Sequence, residues 1–196
     1  LFLAHVRAAT GTPIQQTNCH PFRWGKWMLV HNGVIADFAR VKRDLALAVR
    51  PDLFPEIGGS TDSELMFYLA LTFGLRDDPV GAVERMIGFV EEVGESHGVE
   101  FPIQMTIIAA DGTNLYAFRY SSEGQSRSLF YSRDLPSLRE LHPDVEALQG
   151  LDDETRIVVS EPLGDLPGAW IEAPEAHYGI VRPGDDILAP LEPKRL

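Results

Sequence analysis

The hydrophobic period of this chain, from Asp37 onward, switches once from helical to strand-like, and that switch limits the folds open to it. From Asp37 the apolar residues Phe38, Val41, Leu45, Ala48 and Val49 recur at helical spacing, with Arg40, Lys42, Arg43 and Asp44 on the other face, until Pro51 closes the run. Gly58-Gly59-Ser60-Thr61-Asp62-Ser63-Glu64 then leads into a second helix whose apolar face is Leu65, Phe67, Tyr68, Leu69, Leu71 and Phe73. Ser60 or Thr61 caps it, since Ser60 to Ser63 and Thr61 to Glu64 both have capping-box spacing. A third helix is predicted from about Val80 to Val93. Beyond it, Ile103–Ala109, Leu115–Tyr120, Ser128–Ser132, Arg156–Ser160 and Tyr178–Val181 read as strands, with hairpin turns at Asp111-Gly112 and over Ser121–Gly124. Strands, then helices, then strands predict an α+β fold in which helices cover antiparallel sheets, not a doubly wound parallel sheet.

The first residues add a strand to this pattern. Leu1-Phe2-Leu3-Ala4-His5-Val6-Arg7 is apolar and β-prone and reads as a buried strand with no turn or cap before it. A start in mid-strand leads us to expect further residues upstream of Leu1, so that the chain is a fragment. Ala8-Ala9-Thr10-Gly11-Thr12-Pro13 follows as a loop, and the polar stretch Gln15–Asn18 leads to His20-Pro21-Phe22. Trp27–His31 reads as a short strand that ends at the turn dipeptide Asn32-Gly33.

Composition removes several classes of function. A net charge of −12, from 17 basic and 29 acidic residues, repels a phosphate backbone, so nucleic acid is not an expected partner. The single cysteine, Cys19, excludes an internal disulfide and a cysteine-rich zinc site. His5, His20, His31, His97, His142 and His177 are scattered without ligand spacing, so no metal is expected. There is no apolar run near the ~20 residues a membrane helix needs, and no basic, apolar leader at the start. A single cytoplasmic domain over residues 1–196, with no membrane partner, is the expectation.

Three short segments put polar groups or glycine at element ends, where a pocket can be lined. They are His5-Val6-Arg7-Ala8-Ala9-Thr10-Gly11, His31-Asn32-Gly33 and Gly59-Ser60-Thr61-Asp62-Ser63-Glu64. Taken singly each has a bland reading: Arg7 as an ion-paired surface arginine, Asn32-Gly33 as a hairpin turn, Asp62 as a helix-cap residue. Together, in this order and spacing and with Asn18-Cys19-His20-Pro21-Phe22 between the first two, they resemble the class II glutamine amidotransferase domain of the N-terminal-nucleophile hydrolases. The resemblance spans at least residues 1–75, and Val158-Val159-Ser160-Glu161-Pro162-Leu163 is similar to the stand-alone bacterial type.

That resemblance implies an αββα sandwich of two antiparallel sheets between helices, with its N-terminal strands missing from this chain. It also implies a set of roles. Arg7 resembles the arginine that binds the glutamine carboxylate, Asp62 the carboxylate that holds the α-ammonium, and Thr10 the hydroxyl that assists. Asn32 and Gly33 resemble the oxyanion hole. His20 is assigned to ordering its loop and His5 to a buried structural place. The nucleophile in such domains is an N-terminal cysteine whose α-amino group serves as base. Cys19 is internal and has no such group to offer, so it reads as a buried thiol and the nucleophile is expected upstream of Leu1. The implied reaction is hydrolysis of glutamine through a cysteine thioester, with ammonia passing to a separate synthase. Two alternatives stay open: hydrolysis of a γ-glutamyl amide in a metabolite pathway, and a non-catalytic glutamine-binding sensor or scaffold. None needs a cofactor, and a homo-oligomer is left open.

Overall fold

In the computed structural model, which describes residues 1–6, 15–162, 164 and 166–196, the element types follow the change of period. A short hairpin, β1 (Phe22–Trp24) and β2 (Trp27–Ile35), precedes three helices, α1 (Phe38–Leu47), α2 (Asp62–Thr72) and α3 (Pro79–Ser96). The strands β3 (Ile103–Ala110), β4 (Leu115–Ser121) and β5 (Phe130–Ser132) follow, then two short helices, α4 (Leu135–Leu141) and α5 (Glu146–Gln149). The chain closes with β6 (Val158–Val159), β7 (Trp170–Glu172), β8 (His177–Val181) and β9 (Ile187–Pro190). Six strands form one antiparallel sheet in the order β1-β2-β3-β4-β8-β9, and three form a second in the order β6-β5-β7.

The strand period of two sorts the large sheet into two faces. Leu29, His31, Gly33 and Ile35 of β2 stand opposite Ala109, Ile107, Met105 and Ile103 of β3, and this face carries the main core. Phe67, Leu69, Met86 and Ile87 of α2 and α3 cover it, all of them fully buried. The other face meets the small sheet through Ala117, Leu129 and Ala173. Beyond the small sheet, Leu135, Leu138 and Leu148 of α4 and α5 pack with Ala169 and Trp170. Helices, sheet, sheet and helices therefore stack in four layers, the αββα order expected from the sequence. A cavity of about 370 Å³ lies between the sheets, lined among others by Ala117, Tyr131, Val158, His177 and Ile187.

Several local expectations are corrected. Leu1–Val6 is not a strand: no ladder pairs it, and Leu1, Phe2 and Val6 are 66%, 85% and 97% exposed. Its alternation survives in burial alone, with Leu3 and His5 half-buried between exposed neighbours. Asn32-Gly33 is not a turn. Both lie inside β2, paired with Thr106 and Met105, because the strand continues to Ile35 and it is Ala36-Asp37 that turns into α1. The turn over Ser121–Gly124 does not close a hairpin, since β4 pairs with β3 and β8 while β5 leaves for the second sheet. The Asp111-Gly112 hairpin does form, with the Asp111 carboxylate accepting from the backbone N–H of Thr113 and Asn114 at 2.9 and 2.7 Å.

Candidate active site

Strand β2 and the start of α2 bring the second and third sequence segments together. Thr61 caps α2, its hydroxyl accepting from Glu64 N–H at 3.1 Å. Glu64 reaches back over the glycine loop, where its carboxylate accepts from Gly58 N–H at 2.9 Å and Gly59 N–H at 2.8 Å while staying 5% exposed. This is the capping box of Thr61 and Glu64, with the returning carboxylate displaced onto the two glycines. Gly59 has to be glycine, because a methyl there would lie 2.5 Å from Thr17 O, 2.6 Å from Asn18 Oδ1 and 2.8 Å from Glu64 Oε2. The buried Asn18 locks the same loop from outside, its Oδ1 accepting from Ser60 N–H at 2.9 Å.

This rigid loop delivers Asp62 as the first residue of α2, where the helix dipole favours its charge. Asp62 Oδ2 accepts from Ile35 N–H at 2.9 Å, and Oδ1 accepts from Ser63 N–H at 2.8 Å. No lysine or arginine among the described residues forms an ion pair with it. The Ser63 hydroxyl lies 3.3 Å from Oδ1 as well; a carboxylate offers about four acceptor sites, so these donors leave it capacity for a cation.

On β2 the alternation turns Asn32 to the face away from the main core, where it is exposed, and turns His31 and Gly33 to the helix side. Gly33 has φ +151, and a side chain there would overlap the Gln104 carbonyl oxygen on β3. Close approach of two backbones, not a turn, is what requires this glycine. His31 is buried, and its Nδ1 lies 2.8 Å from Ser63 Oγ. Burial lowers its pKa below the ordinary 6.5; the nearby Asp62 charge opposes that shift and His5 adds to it. In the sequence, Ser63 and Glu64 have a place in the capping box alone and His31 has no task. Their signal was there, in polar residues on the core side of β2 and along a helix that is apolar almost all round.

Arg7 and Thr10 lie outside the described residues. His5 and His20 are half-buried and pack against each other, ring centroids 4.1 Å apart, and His20 also meets Phe22 at 4.6 Å. His5 is thus less buried than expected, because its segment has no strand beside it. Cys19 is exposed, not buried, and its thiol faces Gln15 O at 3.5 Å across a single turn of 3-10 helix. Among the described residues no group of three or more histidine, cysteine or acidic side chains could hold a metal. No helix among them is long and apolar enough to cross a membrane.

Known proteins resemble the chain over nearly all of its length. The profile of the class II glutamine amidotransferases matches residues 1–194. The protein is 28% identical to the "Probable glutamine amidotransferase DUG3" of Saccharomyces cerevisiae, over 97% of this chain and 59% of that protein. It is 29% identical to the gamma-glutamyl-hercynylcysteine sulfoxide hydrolase of Mycolicibacterium smegmatis, over 96% of this chain and 63% of that protein. The chain therefore spans about three-fifths of the length of these two relatives. Among solved structures, a glutamine aminotransferase class-II domain protein from Silicibacter pomeroyi superposes with a TM-score of 0.77 at 32% identity, covering 92% of this chain and 74% of that one. The glutamine phosphoribosylpyrophosphate amidotransferase of B. subtilis shares the fold, with a TM-score of 0.57 at 16% identity over 97% of this chain and 35% of that one. By its matched profile, its relatives and its four-layered fold, the chain belongs to the class II glutamine amidotransferases.

Proposed function

We propose that the protein containing this domain hydrolyses a γ-glutamyl amide, either glutamine itself or a conjugate with a larger amine. The observation that carries the reading is Asp62, a carboxylate fixed by backbone donors, without a lysine or arginine partner among the described residues, and bonded to the strand that holds Asn32 and Gly33. In this reading Asp62 binds the α-ammonium of the substrate and Arg7 its carboxylate, with Thr10 assisting. The Asn32 side-chain N–H and the Gly33 backbone N–H receive the oxyanion that forms when the amide carbonyl is attacked. Each such donor stabilises the transition state by roughly 3–4 kcal/mol.

The nucleophile of this reading is an N-terminal cysteine thiolate. It adds to the amide carbon, the tetrahedral adduct expels ammonia or the larger amine, and water cleaves the resulting thioester to free the glutamyl carboxylate. Cys19 is not that nucleophile: it has no α-amino group, and its thiol is turned to its own loop. Ammonia released from glutamine would pass to a separate synthase. The larger-amine version draws support from the relative named for hydrolysis of a γ-glutamyl conjugate.

The test is an end-point assay on the full-length protein with L-glutamine and with γ-glutamyl-p-nitroanilide. Release of glutamate from either is expected, and Asp62→Ala should abolish it. Binding of glutamine without glutamate release would favour the sensor reading instead.

A further inference from the structure

Two buried polar side chains at the centre of this site have no part in the scheme above. His31 is 3% exposed and Ser63 7% exposed, and His31 Nδ1 stands 2.8 Å from Ser63 Oγ. In sequence His31 immediately precedes Asn32, and Ser63 immediately follows Asp62. Each is therefore the covalent neighbour of a residue assigned to the substrate, one on β2 and one on α2.

The contact between them is one of two ties between these elements. The other is the bond from Ile35 N–H to Asp62 Oδ2 at 2.9 Å. Residues 31 and 35 bracket Asn32-Gly33 from both sides, so the two ties clamp the stretch between them against the start of α2. The second nitrogen of the ring extends the clamp, because a methyl placed on Gly33 would lie 2.7 Å from His31 Nε2. The imidazole thus fills the space between the Ser63 hydroxyl and the backbone of Gly33.

We propose that His31 is a positioning residue, which through Ser63 fixes the separation between Asp62 and the Asn32–Gly33 pair. The inference rests on the amide-hydrolysis reading. A γ-glutamyl amide has its ammonium and its reacting carbonyl at a set distance along one molecule. A protein that grips both ends from different elements must hold those elements in register, and an error near 1 Å can cost about 100-fold in rate. Phe67 and Leu69 seat α2 on the sheet further along, and at the start of the helix these two ties set its spacing to the strand. Burial favours the uncharged imidazole, which has one N–H and one bare nitrogen. The Ser63 hydroxyl also lies 3.3 Å from Asp62 Oδ1, so it stands between the imidazole and the carboxylate.

Steady-state kinetics on the full-length protein test this, with L-glutamine and γ-glutamyl-p-nitroanilide as substrates and Ser63→Ala, Ser63→Thr, His31→Asn and Asp62→Ala as variants. Ser63→Ala is expected to raise KM about fivefold or more and to lower kcat/KM at least tenfold. Ser63→Thr, which keeps the hydroxyl, should stay within about threefold of wild type on the same scale. A variant that merely loses folded protein lowers apparent kcat and leaves KM alone, so the KM shift separates positioning from stability. Unchanged KM in Ser63→Ala and His31→Asn, with turnover abolished by Asp62→Ala, overturns the positioning role and leaves the hydrolysis reading standing. Wild-type protein that cleaves neither substrate removes both.

Discussion

Asp62 and Ile35 are joined by a hydrogen bond of 2.9 Å from the strand's N–H to the helix's carboxylate, and the same carboxylate is the one assigned to the substrate ammonium. Structure and binding thus share one side chain, and two substitutions separate them. Asp62→Ala loses both tasks: glutamine binding should weaken by about 2–5 kcal/mol if the charge pair is desolvated, and the fold by about 1 kcal/mol for the lost bond. Asp62→Asn keeps an oxygen for Ile35 but turns its NH2 toward the Ser63 N–H, so it should bind as poorly as the alanine variant and keep only part of the wild-type stability. Calorimetric titration with glutamine and thermal denaturation read the two effects. Equal affinity in wild type and Asp62→Asn would remove the charge from the binding scheme.

Gly33→Ala should be among the most damaging single changes in the main sheet. The new side chain would have to occupy φ +151 and overlap the Gln104 carbonyl on the neighbouring strand. Strained backbone and overpacking each cost roughly 1–3 kcal/mol. The measurement is a chemical denaturation curve, with a loss of about 3 kcal/mol or more expected; a loss under about 1 kcal/mol would mean that β2 and β3 can part without penalty.

Much of this was legible in the residues, and the failures have a common cause. Helices α1, α2 and α3 and strands β3 and β4 lie close to where the sequence puts them, α1 by its apolar face and α2 by the cap that opens an apolar run buried all round. Asn32-Gly33 misled as a turn because glycine has two uses, and only the position of Gln104 across the sheet reveals that close approach, not reversal, is the one at work. β1, β7 and β9 were missed because strands of 3, 3 and 4 residues carry little alternation and, unlike β5 and β6, were not read as part of a longer strand-like run. Leu1–Val6 has the composition of a strand but no ladder partner among the described residues, and pairing is a property of the fold, not of the segment. In the site, residue types marked Asp62 and Asn32. The clamp of His31 and Ser63 joins positions 32 residues apart, so a polar residue on a buried face marked each end but nothing marked their pairing.

Glu64→Gln tests the loop that delivers Asp62. The carboxylate accepts from both Gly58 and Gly59 N–H, whereas an amide presents one oxygen and turns an N–H toward the second donor. Losing a buried charge-assisted bond and creating a donor-to-donor contact should cost about 2–3 kcal/mol. Hydrogen exchange gives the sharper readout, since protection of Gly58 and Gly59 amides should fall before that of β3. Equal protection in both proteins would show that Asn18 alone holds the loop.

Cys19→Ser should leave amide hydrolysis by the full-length protein unchanged. The thiol is exposed and among the described residues engages Gln15 O alone, at 3.5 Å, so alkylation should reach it readily in the native state. Mass spectrometry after brief iodoacetamide treatment would locate the modification. Loss of turnover on Cys19→Ser substitution would contradict the assignment of the nucleophile to an N-terminal cysteine.

His31 also sets an acid limit on the fold. Its proton affinity in the folded state lies below the ordinary 6.5, burial being the main cause and His5 a further one, with Asp62 acting against them. The unfolded chain therefore binds more protons than the folded chain once the pH drops below about 6.5, and stability falls as pH descends through the lower folded-state value. Above about 6.5 both states hold a neutral imidazole and this contribution is flat. The carboxylates of Asp78 and Asp111 are shifted down from 3.8, so their loss of stability comes in more acidic solution and does not overlap the upper part of the histidine window. Unfolding midpoints measured from pH 8 to pH 4.5 should be level at first and then decline in wild type. In His31→Asn the decline in the upper part of that range should flatten, because no buried imidazole remains there to be charged. The same slope in both proteins would assign the acid sensitivity to another group and leave His31 as a packing residue with no titration of consequence.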